Sequence, residues 1–207
     1  MSLWEVEDLY REKGYAAICG CDEAGAGPLA GPVYAAAVIL PFGVDIPGLN
    51  DSKQLSEKKR EELFPVIQQT AVAWAIASVG PEEIDETDIL TARIKAMEQA
   101  ISRLDPQADF ALIDGNRDKG KGAAITLAHQ CVIKGDSLSA SIAAASVLAK
   151  VSRDRVMVEL DKDYPQYGFA KHKGYGTKAH YEALRQFGLC PIHRRSFLKN
   201  LPIKEAE

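Results

Sequence analysis

Two adjacent acids, Asp22 and Glu23, follow directly on an apolar run at residues 16–21 and lead into a glycine-rich stretch. Carboxylates in that position are poorly explained as ordinary surface charge. Placed side by side they raise one another's pKa unless a cation offsets the repulsion. Asp114, in Leu112-Ile-Asp-Gly-Asn116, repeats the pattern of an acid where an apolar strand runs out. Asp136, in Ile133-Lys-Gly-Asp-Ser137, falls where a strand meets a long helical segment. Hard, oxygen-seeking ions such as Mg²⁺ or Mn²⁺ are the natural partners of such a set. Several acids delivered to strand ends meet the requirement of two-ion phosphodiester chemistry, with the ions about 3.5–4 Å apart. An Asp-Glu pair before glycine also caps turns, and Asp136 also suits a helix N-cap.

Other chemistries fit less well. Gly25-x-Gly27-x-x-x-Gly31 is one residue too long for a dinucleotide fingerprint and has Pro28 inside it, and there is no GxxxxGK[ST] phosphate loop. Gly25 and Gly27 instead permit close backbone approach to a ligand beside the acids. The histidines, His129, His172, His180 and His193, show no HExxH spacing. Cys19, Cys21, Cys131 and Cys190 include no CxxC pair, so inert thiols are expected rather than a zinc site or disulfide framework.

The elements that must position these groups can be read from periodicity and turn chemistry. Strands are expected at residues 16–22, 33–40, 70–79, 109–113 and 125–133. Helices are expected at 3–12, 56–69 with Ser56 as N-cap, 88–104, 137–161, and 177–187 between Thr177 and Gly188. The segment 164–176 reads as loop. The first half of the longest helix is nearly all small residues, which permits close approach to a sheet. The pattern is that of an α/β domain with a mixed sheet and a helix-rich C-terminal third.

The chain has 207 residues, 46% hydrophobic and 26% charged, as in an ordinary globular protein. Its apolar runs are far shorter than the roughly 20 residues of a membrane-spanning helix. The acidic, amphipathic start lacks the character of a secretory signal, so a cytoplasmic location and no membrane association are expected. A net charge of −4 does not suggest a nucleic-acid partner, but its distribution does. Between Lys171 and Lys199 seven basic residues face one acid, Glu182. Such a stretch suits a phosphate-binding face, although a plain solvated surface has the same composition.

The ordered segments DEAGAGPLAGPV at 22–33, NDSKQLS at 50–56, IDGN at 113–116, VIKGDSLSASIAAASVLAKVSRD at 132–154, YPQYGFAKHKGYGT at 164–177 and HRRSF at 193–197 resemble the type 2 ribonuclease H family, specifically ribonuclease HII. The resemblance implies a ribonuclease H-like fold: a mixed five-stranded sheet flanked by helices, with a C-terminal helical region. It implies one catalytic domain over 1–207, with residues from about 163 to 207 binding substrate. A catalytic and metal-binding quartet would fall on Asp22, Glu23, Asp114 and Asp136, using Mn²⁺ or Mg²⁺. The implied activity is hydrolysis of RNA in RNA–DNA hybrids and at ribonucleotides embedded in duplex DNA, leaving 3′-hydroxyl and 5′-phosphate ends. Tyr175 matches the tyrosine that stacks near the sugar at the RNA–DNA junction. Gly25, Ala26, Gly27, Lys53, Arg194, Arg195 and Ser196 would contact the substrate, and a monomer is expected. Asp51 and Asp154 read as a loop organiser and a helix salt-bridge partner. One departure stands out: the family usually has Gly-Arg-Gly where this chain has Gly25-Ala26-Gly27, so a guanidinium contact to the strand is missing.

Overall fold

The computed structural model describes residues 3–199. Its centre is a five-stranded mixed sheet built from β1 (Ile18–Ala24), β2 (Val33–Ile39), β3 (Ala73–Val79), β4 (Phe110–Asp114) and, after a two-stranded hairpin of β5 (Lys119–Gly120) and β6 (Ala123–Ala124), β7 (His129–Val132). The order across the sheet is β3-β2-β1-β4-β7. β2 lies antiparallel to β1 and β3, whereas β4 is parallel to β1 and β7. The helices are α1 (Glu5–Glu12), α2 (Glu57–Thr70), α3 (Pro81–Glu86), α4 (Ile89–Ser102), α5 (Ala140–Asp163), α6 (Phe169–His172) and α7 (Lys178–Phe187). Among the described residues no helix is long and apolar enough to cross a membrane.

Alternation along the strands divides the core into two layers. Cys19, Cys21, Ala35 and Ile113 face α4 and pack with Ile94 and Met97. Ala36 and Val38 face α5 and α2, packing with Ala144, Leu148 and Leu63. The sheet and α5 meet at Gly20, where an added Cβ would lie 2.2 Å from Ile142 N. Only glycine in the strand and small residues in the helix allow that approach. Helix ends follow local capping chemistry. Ser56, Asp88, Ser139 and Thr177 accept the amides of Lys59, Thr91, Ile142 and His180.

Several expectations change. β1 runs on through Ala24, so Asp22 and Glu23 pair within the ladder rather than beyond it. α5 begins after a 3₁₀ turn, Gly135–Ser137, and Ser139 is its cap, so Asp136 is free of that duty. The segment expected as loop holds α6, and the expected strand at 125–133 shrinks to β7. α3 was not foreseen; Pro81 starts it at a position that needs no amide donor.

A third cluster unites Leu29, Ala30 and Met157 with Tyr167, Phe169, Leu184 and Leu198. Buried against it, His180 and His193 meet Nε2 to Nε2 at 3.0 Å. His193 Nδ1 accepts the Cys190 amide at 2.9 Å, and His180 Nδ1 lies 2.9 Å from the Tyr175 carbonyl. That arrangement requires neutral rings: His193 Nε2–H donates to His180, whose Nδ1–H donates to Tyr175. Burial pulls each from 6.5 down to about 4. The unfolded chain therefore binds more protons between pH 4 and 6.5, and this stabilisation, fully present above that window, is lost as pH falls through it. Buried acids with raised pKa values act in the opposite sense. The histidine share is therefore expected as a difference: from pH 7.5 to pH 5 wild type should lose roughly 1–3 kcal/mol more than His193→Gln. Urea unfolding at both pH values measures this; equal losses would show that the rings carry no linked protons.

Candidate metal centre and nucleic-acid interface

The parity of the strands decides which acids meet. Asp22 lies opposite Ala36 and Glu23 opposite Ala35, so the two point to opposite faces. Gly20 is in register with Leu112, placing Asp22 and Asp114 on the α5 face of neighbouring parallel strands. Asp136, in the turn that feeds α5, arrives on that face from above. Carboxylate oxygens of Asp22, Asp114 and Asp136 lie within 4.8 Å of one another. Asp114 Oδ1 also accepts the Gly135 amide at 2.8 Å, which ties the strand end to this turn. Glu23, the fourth acid of the expected quartet, stands outside this three-acid group and on the other face of β1. Its Oε1 meets Arg93 Nη2 of α4 at 3.1 Å.

The electrostatics call for a cation. Burial, then Glu23 and Asp114, raise Asp22 well above the usual carboxylate range. Burial and Asp114 raise Asp136, against the opposing pull of Lys53. Burial raises Glu23, partly offset by Arg93. The Lys53 ammonium is 3.2 Å from Asp136 Oδ2, and Glu23 Oε2 is buried without a partner. An all-oxygen donor set with an orphaned buried carboxylate oxygen suits a hard divalent ion. Asp114 and Asp136 line a cleft of about 450 Å³ whose other walls include Asp51, Lys53, Lys134 and Ser137. Lys134 adopts a left-handed conformation, φ 57°, in the turn before Asp136.

The glycine loop beside the acids is braced from beneath by two arginines that are 0% exposed. Arg194 donates to the carbonyls of Gly31, Ala26 and Gly25 at 2.9, 3.0 and 2.6 Å. Arg153 donates to those of Pro32, Lys173 and Ala30 at 3.2, 3.0 and 3.3 Å. Gly25, at φ 95°, leaves no room for a side chain, since a Cβ would fall 2.0 Å from Arg153 Nε. In a trans peptide the amide points opposite its carbonyl. With the Gly25 and Ala26 carbonyls drawn toward Arg194, the amides of Ala26 and Gly27 point away from it. No carboxylate among the described residues forms an ion pair with either arginine. Burial and the neighbouring Arg153 lower Arg194 to about 9.

Tyr175 stands next to this loop, its ring 3.9 Å from the Cβ position of Gly27 and 44% exposed. Lys150 Nζ and Arg153 Cζ lie 5.9 and 5.8 Å from the ring centre. Lys171 and Arg195 are exposed. Two of the expected phosphate contacts are otherwise engaged: Arg194 is spent on loop carbonyls, and the Ser196 hydroxyl donates to Asp85 at 2.5 Å. Asp51 does organise its loop by accepting the Lys53 amide at 2.8 Å. Asp154 pairs with Lys150 at 2.7 Å. Arg153 and Arg93 were not singled out from sequence, yet both carry a readable sign. Each replaces an apolar residue on a helical stripe, Ala149–Arg153–Met157 in α5 and Ile89–Arg93–Met97 in α4.

Comparison with known proteins agrees with this geometry. The family model for ribonuclease HII matches residues 19–200. Ribonuclease HII of Ruminiclostridium cellulolyticum is 55% identical over 188 residues, covering 91% of this chain and 72% of the relative. The Vibrio parahaemolyticus protein of the same name is 55% identical over 194 residues, covering 94% and 89%. The crystal structure of ribonuclease H2 from Pyrococcus horikoshii superposes with a TM-score of 0.72 at 27% identity, covering 87% of this chain and 93% of that one. The chain thus belongs to the ribonuclease HII family, metal-dependent endonucleases that hydrolyse the RNA strand of RNA–DNA hybrids.

Proposed function

We propose that the enzyme cuts hybrids and also single ribonucleotides embedded in duplex DNA, with Asp22, Glu23, Asp114 and Asp136 holding Mn²⁺ or Mg²⁺. The observation that carries this reading is the three-acid cluster set beside a loop whose amides face outward. When bound, the ions supply activation of the attacking water and charge for the leaving oxygen, giving 3′-hydroxyl and 5′-phosphate ends. The protein's own contribution is placement. The outward amides of Ala26 and Gly27 lie where a ribose 2′-hydroxyl can be recognised, the group that separates RNA from DNA. Tyr175 offers its ring for stacking at the sugar of the RNA–DNA junction, with Lys150 and Arg153 over the ring, 5.9 and 5.8 Å from its centre. The buried guanidiniums of Arg153 and Arg194 set a positive potential behind the loop that favours a phosphate in front of it.

Residues 163–199 form the substrate-binding side of a single catalytic domain; residues 200–207 of the expected region lie outside the described residues. Lys53, Lys171 and Arg195 reach phosphates, whereas Arg194 and Ser196 act through the loops they hold. The working form is a monomer in the cytoplasm, and the reaction suits primer removal and repair of misincorporated ribonucleotides.

A duplex with one ribonucleotide tests the reading directly. Cleavage at that residue, dependent on Mn²⁺ or Mg²⁺, is expected; an uncut duplex alongside a cut hybrid would limit the enzyme to continuous RNA. Asp22→Asn and Asp114→Asn are each expected to lower turnover on the order of 10³-fold while hybrid binding is largely kept. Normal turnover in either purified variant would remove that acid from the centre. Binding should weaken with salt, and Lys171→Ala and Arg195→Ala should each reduce the slope by about one phosphate contact. Unchanged slopes in both would assign these charges to plain surface.

A further inference from the structure

Arg93 lies on the face of α4 that packs against the sheet, between Ile89 and the fully buried Met97. Glu23 leaves β1 on the same side, in line with Cys19 and Cys21. The fold therefore delivers a cation to the one acid of the quartet that the three-acid cluster leaves out. The guanidinium also adjoins the turn after Asp114, where a Cβ on Gly115 would lie 3.4 Å from Nη2.

Their contact is incomplete. One link joins them, Nη2 to Oε1 at 3.1 Å, while Arg93 Nε and Glu23 Oε2 are both buried without a partner. A guanidinium and a carboxylate that serve only each other usually form two parallel hydrogen bonds. Elsewhere in this protein arginines with a bracing role are fully used: each nitrogen of Arg153 and Arg194 has its own carbonyl. The Arg93 side chain keeps 21% of its surface exposed, so it is not enclosed on every side.

We propose that Arg93 is a positioning residue for the metal centre, a built-in cation that occupies Glu23 and yields it when a divalent ion takes that carboxylate. This rests on the reading of Glu23 as a metal ligand. With Arg93 on Oε1, Glu23 is held in one place on the α4 side of β1, beside the three-acid group, before any ion arrives. An ion that takes the carboxylate must first displace this guanidinium, and the pairing lost costs the ion affinity. Arg93 thereby makes the Glu23 side of the centre the weaker one, and a substrate phosphate is a fitting acceptor for the donors it frees.

The test is calorimetric titration of Mn²⁺ into the nucleic-acid-free protein, comparing wild type with Arg93→Ala, Arg93→Lys, Glu23→Gln and the Arg93→Ala/Glu23→Gln pair. Removing the charge is expected to tighten the weaker binding event about tenfold or more. Arg93→Lys should stay near wild type, and the gain should vanish when Glu23 is already Gln. A purely structural role would not produce that dependence on Glu23. An Arg93→Ala isotherm equal to wild type, or a gain that persists without the Glu23 charge, overturns the proposal. Arg93→Gln, which keeps chain length, gives the same comparison if the alanine variant unfolds. Asp22→Asn separates the two readings. If it leaves Mn²⁺ binding intact, the metal centre itself is misplaced. If it abolishes binding while the Arg93 variants match wild type, only the role of Arg93 fails.

Discussion

Everything at the site depends on how closely α5 can approach the sheet. At Gly20 the helix backbone occupies the place where a strand side chain would be, with Ile142 N 2.2 Å from the Cβ position. The small residues of the helix's first half, Ala140, Ser141 and Ala143 to Ala145, are buried by this contact. α1 reinforces it from outside, since Glu7 accepts the Ser139 hydroxyl at 2.6 Å and the Ser141 amide at 3.0 Å. Because the helix sits so low, the turn before it brings Asp136 down to the ends of β1 and β4. A larger residue at position 20 would lift the helix and carry Asp136 away from Asp22 and Asp114. Packing and metal chemistry are thus one constraint seen from two sides.

Charge is organised by face in a molecule whose net charge is −4. The acids gather on the α5 side of the strand ends. Behind the adjoining loop stand Arg153 and Arg194, buried and bonded only to main-chain carbonyls. Lys53 offsets the acids only in part and no carboxylate among the described residues pairs with the two arginines, which is expensive for an isolated protein and useful for one that binds cations and polyanions. The loop between them is where these two imbalances meet. The missing arginine at Ala26 leaves that loop's backbone geometry intact, because its shape comes from Arg194 beneath rather than from a side chain on its surface.

Much of this was legible in the sequence, for stated reasons. Asp22, Asp114 and Asp136 were found because an acid at the end of an apolar strand has no ordinary cause. α7 was bounded correctly because Thr177 and Gly188 carry strong local end signals. The side on which Glu23 stands is less legible: a strand read as ending at Asp22 leaves it undirected, and the ladder that runs on to Ala24 turns it toward α4. Arg194 is expected from its basic neighbours and the family resemblance to contact substrate, whereas it is buried against residues 25–31, far away in sequence, and holds their carbonyls. The paired histidines were beyond reach for the same reason. α6 was missed because four residues are too few to show a helical period.

The alternation in β1 also limits how this chain can vary in length. Between Ile18 and Ala24 every residue is assigned to a face, and Asp22 and Glu23 have different neighbours waiting on the two sides. Inserting or deleting one residue before them would exchange their faces, sending Glu23 to Asp114 and Asp136 and Asp22 to the guanidinium of α4. All four acids would still be present and the centre lost. The stretch from Phe42 to Gly48, in the connection from β2 to α2 and ahead of Asp51 and Lys53, has no such parity to keep. Ancestral additions and removals should therefore have been accepted there and rejected in β1, and a designer extending the protein should make the same choice.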